Sequence, residues 1–300
     1  MLIIASRGSQ LALWQAHWVQ QKLAGLAYQS RIEIIKTTGD KITDVPLAQV
    51  GTKGLFTKEI EEALLEARAD LAVHSLKDLP TELPAGLELA ATPEREDPRD
   101  ALVGMRLADL PKHAKVGTSS LRRAAQLRKL RPDVRIEAVR GNLDTRLRKL
   151  AEGHYDAIVL AAAGLKRLGW EDRIAEVLPP GIICPAAGQG ALAIEIASRA
   201  DADLRALCDK LNHAETRAAV TAERALLGAL GGGCQVPIGA YATIAGGDLR
   251  LVGVVVSPDG VDLVRDEAAG PVADAARIGR ELGEALLAAG ADDILESVYG

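Results

Sequence analysis

Sulfur and aromatic rings are scarce in this 300-residue chain, which has three cysteines, two methionines, one phenylalanine and an aromatic content of 3%. So few rings leave little on which bases could stack, and a formal net charge of −5 gives no general attraction to a polyanion. Nucleic acid is therefore not expected as a partner. The cysteines, Cys184, Cys208 and Cys234, include no Cys-x-x-Cys pair, and a sparse, odd set does not make a disulfide framework. His17, His74, His113, His154 and His213 show no metal-ligand spacing, so no metal is expected. Neither G-x-x-x-x-G-K-[ST] nor G-x-G-x-x-G occurs, which removes the usual phosphate-cradling loops. No apolar run reaches membrane-spanning length, and Arg7 interrupts the apolar start MLIIAS before it could serve as a signal peptide. A soluble cytoplasmic protein with no membrane partner is expected.

What is present suits an enzyme. Hydrophobic residues make up 48% of the chain and charged residues 26%, and the length allows two or three domains. Short apolar runs alternate with amphipathic stretches: LIIA, then a helix from Ser9 to about Lys22, then RIEIIKT, a helix over KEIEEALLEAR capped by Thr57, and LAVHSL. Residues 38–54 read as a loop. The alternation restarts after TPEREDPRD with KVGTSS, RIEAVRGN and YDAIVLA as strands. ALAIEI at 191–196 reads as a strand that returns to the first domain. Beyond it come one helix over 212–230, three strands and a terminal helix over 272–288. The expected division is an α/β domain of residues 1–93 and 192–211, a second of 94–191, and a small α+β domain of 212–300.

Arginines gather where these strands end. Arg7 follows the first strand, with Ser9 at the next helix start. In TSSLRR, Thr118, Ser119 and Ser120 precede Arg122 and Arg123 in a first helical turn, where cations oppose the helix dipole unless an anion is bound. Arg140 ends RIEAVR, with Asn142 as a possible cap and Arg146 a turn further on. One such end is unremarkable surface; three suggest a ligand with several carboxylates or phosphates, held outside the carboxyl ends of the strands. LAVHSLKDLP adds Ser75, Lys77 and Asp78 at another strand end, a pairing either merely solvated or able to hold a cationic intermediate and move protons. GTKGLFTKE places Lys53 and Phe56 in a glycine-rich segment, either a cover over a site or a plain connection. GGGCQVPIG puts Cys234 on a tight turn, open to three readings: core thiol, nucleophile or attachment point.

Taken together, ASRGSQLALWQA, TTGDKITDVPL, VGTKGLFTKEIE, ADLAVHSLKDLP, VGTSSLRRAAQL, VRGNLDTRL, PAAGQGALAIE and LGGGCQVPIG resemble, in order and over nearly the whole chain, the hydroxymethylbilane synthase (porphobilinogen deaminase) family. The resemblance is thinnest over the last 60 residues. It implies two similar periplasmic-binding-protein-like α/β domains around a cleft, plus the small C-terminal domain. It implies four porphobilinogen units joined head to tail with loss of ammonia, on a covalent dipyrromethane primer, and hydrolytic release of the linear tetrapyrrole by a monomeric enzyme. The residues it singles out are Cys234 as the thioether attachment; Asp78, with Arg7, Arg140 and Arg146, as catalytic; and Ser75, Lys77, Thr118, Ser119, Arg122 and Arg123 as cofactor contacts. Gln15, Arg167, Lys53 and Phe56 match substrate-side or loop positions, and Cys184 and Cys208 fall outside the motif. Two other readings use the same residues: a non-catalytic anion-binding protein, and a different transferase with Cys234 as nucleophile.

Overall fold

The computed structural model describes residues 1–41, 55–232 and 236–299, and these divide into two compact units: 1–96 with 191–217, and 97–190 with 218–300. The first unit is built on a five-stranded sheet in the order β2-β1-β3-β10-β4, with β1 Leu2–Ser6, β2 Ser30–Ile34, β3 Leu71–Ser75, β4 Leu87–Ala91 and β10 Leu192–Ala197. β1 runs parallel to both β2 and β3, whereas β10 is antiparallel to β3 and β4. ALAIEI is thus a strand of the first sheet.

The second unit repeats that order. Its sheet reads β7-β6-β8-β5-β9, from β5 Asp100–Val103, β6 Lys115–Gly117, β7 Arg135–Glu137, β8 Ala157–Ala161 and β9 Ile174–Leu178. Here too the first three strands are parallel, and the fourth is antiparallel to both of its neighbours. The same unit carries an antiparallel meander of β11 Ile238–Ala245, β12 Asp248–Val256 and β13 Leu263–Pro271, backed by the helices Ala214–Ala229 and Ala275–Leu286 through Leu226, Ile278, Leu282 and Leu286. Val254 and Val256 of β12 also pack on Ala125 and Cys184, so meander and sheet share a core. Gly260 sits where the two meet: its φ is +81°, and a Cβ there would stand 2.7 Å from the Lys129 nitrogen. The fold class is the expected one, two alike α/β sheets and a C-terminal sheet with helices.

Several local readings need correction. Thr57 makes no side-chain cap, and its helix stops at Leu65. Asn142 likewise leaves the start of Leu143–Ala151 without a side-chain cap. The helix expected over 212–230 begins at Ala214, and a separate helix, Ala202–Leu211, precedes it. The terminal helix runs beyond 288 as two pieces broken at Gly290, whose φ is +99°. β4, β5 and β9 were not foreseen.

Candidate active site

In the first unit, parallel β1 and β3 deliver their carboxyl ends to one edge of the sheet. Ser9 caps the helix Gln10–Gly25 that follows β1, accepting from the Ala12 N–H at 3.3 Å. That helix buries Gln15, whose Nε2 donates to Ser75 Oγ at 2.9 Å. Strand β3 then closes into a single 3₁₀ turn, Leu76–Asp78, stitched to the neighbouring strand by the Leu76 N–H on the Ala191 carbonyl at 3.0 Å. Leu76 and Leu79 are buried, Lys77 is half-buried and Asp78 is exposed. The two leucines pin the turn and leave the charged pair facing outward. Arg7, at the end of β1, lies with its guanidinium carbon 4.3 Å from the centre of the Phe56 ring, a cation–π contact. Phe56 thus acts on the cation rather than on the apolar core. Gly39 passes so close that a Cβ there would come 2.2 Å from that ring.

In the second unit the carboxyl ends of β6, β7 and β8 again share an edge. Ser119, just past β6, donates Oγ–H to the Val139 carbonyl at 2.8 Å and so ties the segment after β6 to the one after β7. Buried Thr118 accepts from the Ser120 N–H at 3.2 Å, and Ser120 caps the helix Leu121–Leu130. Gly141, at φ +106°, turns the chain into the next helix, and Arg146 Nε donates to its carbonyl at 2.8 Å. Arg140 is half-buried, and its guanidinium has no hydrogen bond or ion pair with any described residue. Arg167 is buried and donates to the Gly190 carbonyl at 2.6 Å.

Arg122 and Arg123 differ from the expectation. The charge assigned to a bound anion is supplied by Asp100, a fully buried residue at the start of β5. Arg122 Nη1 reaches Asp100 Oδ2 at 2.6 Å and the Cys184 carbonyl at 2.5 Å; Arg123 Nε reaches Asp100 Oδ1 at 2.9 Å and Nη1 the Val159 carbonyl at 3.1 Å. Gln189 adds an amide donor to Asp100 at 2.9 Å. Arg122 keeps its Nε and Nη2 donors unspent on described residues. Burial alone would push the Asp100 carboxyl up, but the two guanidinium charges and the bonds from Arg122 and Gln189 hold it well below the usual carboxylate range. Because the unfolded chain then takes up the proton first, the stability this group contributes is whole above about pH 4 and is lost as the pH falls below it. Asp100→Asn is expected to cost about 3–5 kcal/mol at neutral pH, since it leaves two buried guanidinium groups short of their counter-charge. Denaturant unfolding followed from about pH 7 to pH 3 checks this, with the gap to the unsubstituted protein narrowing on the acid side.

Lys53 and Cys234 lie outside the described residues. Cys184 and Cys208 are buried, and burial pushes their thiols up to about 12 and about 11, which keeps them from acting as nucleophiles near neutrality. Among the described residues no group of three or more His, Cys, Asp or Glu could hold a metal ion. Sequence reasoning missed Asp100, Gln189 and Gln126; the Gln126 side chain brackets Cys184 by accepting from its N–H at 2.7 Å and donating to its carbonyl at 3.1 Å. None had a local signal: Asp100 ends a polar stretch, Gln126 sits among arginines and alanines, and Gln189 lies between two glycines.

Each unit therefore gathers hydroxyl, amide and cationic donors at the carboxyl ends of parallel strands, and the first adds an exposed carboxylate, Asp78. Hydroxyl, amide and guanidinium donors are groups that carboxylates accept from, so the residues present are chemically compatible with a dipyrromethane bearing acetate and propionate arms. A family model described as "Porphobilinogen deaminase, dipyromethane cofactor binding domain" matches residues 2–206, and one described as "Porphobilinogen deaminase, C-terminal domain" matches 217–288. The chain is 54% identical over 302 residues to the porphobilinogen deaminase of Trichlorobacter lovleyi, covering 99% of this chain and 96% of that one. It is 54% identical to those of Syntrophobacter fumaroxidans and Chromobacterium violaceum, covering 99% of this chain and 97% of each. The second substrate-binding domain of a putative amino acid ABC transporter from Streptococcus pneumoniae is similar at TM-score 0.44 and 14% identity, covering 70% of this chain and 91% of that one. The chain belongs to the porphobilinogen deaminase family.

Proposed function

We propose that the protein is a cytoplasmic, monomeric hydroxymethylbilane synthase, a deaminating transferase that condenses four porphobilinogen molecules head to tail and releases the linear tetrapyrrole by hydrolysis. The observation that carries this reading is the match to both family domains, together with the placement of the chemistry-bearing residues at strand ends. The primer is dipyrromethane, joined by a thioether to Cys234; when bound, it supplies a free pyrrole α-carbon as nucleophile and four carboxylates. Ser75, Lys77, Thr118, Ser119, Arg122 and Arg123 are its contacts. Arg122 offers its two remaining donors, and the buried Asp100 fixes both arginines at the helix start.

Asp78 does the charge and proton work. As ammonia leaves porphobilinogen, positive charge develops on the pyrrole nitrogen, and a carboxylate there offsets it against the surrounding arginines. Arg7, Arg140 and Arg146 hold substrate carboxylates and orient the incoming ring. Gln15 fixes the Ser75 hydroxyl, and Arg167, Lys53 and Phe56 serve the substrate side. Ammonia release and tetrapyrrole formation from porphobilinogen test the reading directly; neither should occur with an unrelated carboxylated amine.

Arg140→Leu follows from the same argument. With no side-chain hydrogen bond or ion pair to lose among the described residues, the substituted protein should melt within a few degrees of the original, while turnover falls at least tenfold or the primer is poorly retained. Unchanged turnover and full primer occupancy would remove Arg140 from the site.

A further inference from the structure

The inner face of β3, beneath the helix Lys58–Leu65, holds three ionisable groups among apolar neighbours. His74 and Glu195 sit diagonally on adjacent strands, because Ala193 pairs with His74 and Glu195 with Ala72. His74 Nε2 lies 3.0 Å from Glu195 Oε2, within hydrogen-bond distance. Glu61, from the helix above, is buried with them: Glu61 and His74 are 6% exposed and Glu195 is 0%. Apolar neighbours in this layer include Ala5, Ile60, Ala63, Leu64, Ala72 and Leu87, and the buried Thr57 hydroxyl also acts on Glu61. β1 carries no charged residue, and the charged residue of β4, Glu88, pairs with Arg205. Glu62, on the same helix, also acts on Glu61.

Two carboxylate oxygens here, Glu61 Oε1 and Glu195 Oε1, are buried without a hydrogen-bond partner. An ionised oxygen left so is costly, of order 1–3 kcal/mol or more. One proton on Glu61 meets both needs: it removes a buried charge and creates a donor for an acceptor that has none. Burial, aided by the negative charge of Glu195, also pushes the Glu61 carboxyl up against weaker opposing influences from Thr57 and His74.

We infer that Glu61, Glu195 and His74 form a buried proton-holding site, in which a protonated Glu61 donates to Glu195 and Glu195 takes the His74 ring. The site anchors the end of β3, one residue before Ser75 and four before Asp78. Glu195 is on this account a positioning residue for the Asp78 turn, a consequence that rests on the proposed role of Asp78.

The test compares the full-length protein with Glu61→Gln, whose amide is a permanent donor, across a pH series. Between the unfolded glutamate pKa of about 4.3 and the raised folded value, the protein should lose stability relative to E61Q by up to about tenfold in folding equilibrium constant per pH unit. Near pH 4 the two should converge. A constant gap at all pH values, or a destabilised E61Q throughout, overturns the site. Infrared spectroscopy of the unsubstituted protein keeps the question open to refutation even if E61Q does not fold: a protonated carboxyl band should be present at neutral pH and vanish on unfolding, and its absence from the folded protein overturns the site. The positioning role is read separately. Glu195→Gln should lower kcat with KM for porphobilinogen retained; an unchanged kcat, or a rise in KM alone, overturns that role while leaving the proton measurements to stand or fall by themselves.

Discussion

Asp78→Ala is expected to give a folded protein with synthase turnover reduced by roughly 10²–10³-fold or more, the loss seen when a preorganised group facing developing charge is removed. Folding should be spared because Asp78 is exposed, while Leu76 and Leu79 carry the packing of the turn. A surface substitution of this kind changes stability by about 0.5 kcal/mol or less. The chemistry should not be spared. On the proposed reading its neighbours in the same unit, Arg7 and Lys77, are cations, so a cationic pyrrole nitrogen without a carboxylate beside it would meet like charge. Asp78→Asn keeps the shape and loses the charge, so it should resemble the alanine variant; Asp78→Glu keeps the charge on a longer arm and should retain more activity than either. Ammonia release per unit time, measured beside thermal melting, checks all three. Near-original turnover in Asp78→Ala would end the assigned role.

Cys234→Ser is expected to abolish the covalent primer and with it detectable turnover. No other thiol can take over: Cys184 and Cys208 are buried, and their pKa values are pushed up to about 12 and about 11. A thioether needs an accessible sulfur with thiolate character, and neither residue offers one. The chain should still fold, since the apolar cores of both α/β sheets and of the C-terminal meander, the last partly shared with the second sheet, are built from other residues. Circular dichroism, activity and protein mass read these three expectations independently, and retention of an adduct by Cys234→Ser would place the attachment elsewhere.

Much of the architecture was legible because apolar periodicity and turn chemistry agreed. Ser9 announced a helix start and caps one; LAVHSL, KVGTSS and ALAIEI are strands, the last in the first sheet. What escaped was short or carried an acid where an apolar residue was awaited. DALV is only four residues, follows a proline-rich polar stretch, and opens on Asp100, so a central strand looked like loop. Its carboxylate also explains why two arginines tolerate a helix N-terminus, a partner 22 and 23 residues away that no local pattern discloses. Glu195 gave no local sign of its role: it is the lone acid in ALAIEI, every residue of β10 is buried, and its own side chain is fully so. Caps at Thr57 and Asn142 were suggested by residue type alone, and tertiary packing holds both helix starts without them. The strand-end donors around Ser75 and Ser119 were readable because hydroxyls just past an apolar run lie where parallel strands deliver their carboxyl ends.

Intact mass under denaturing conditions tests the central claim most directly. Freshly purified active protein should be heavier than its sequence by two linked pyrrole units, and Cys234→Ser should have the sequence mass. An unmodified mass in the original protein, together with no conversion of porphobilinogen, would contradict the account.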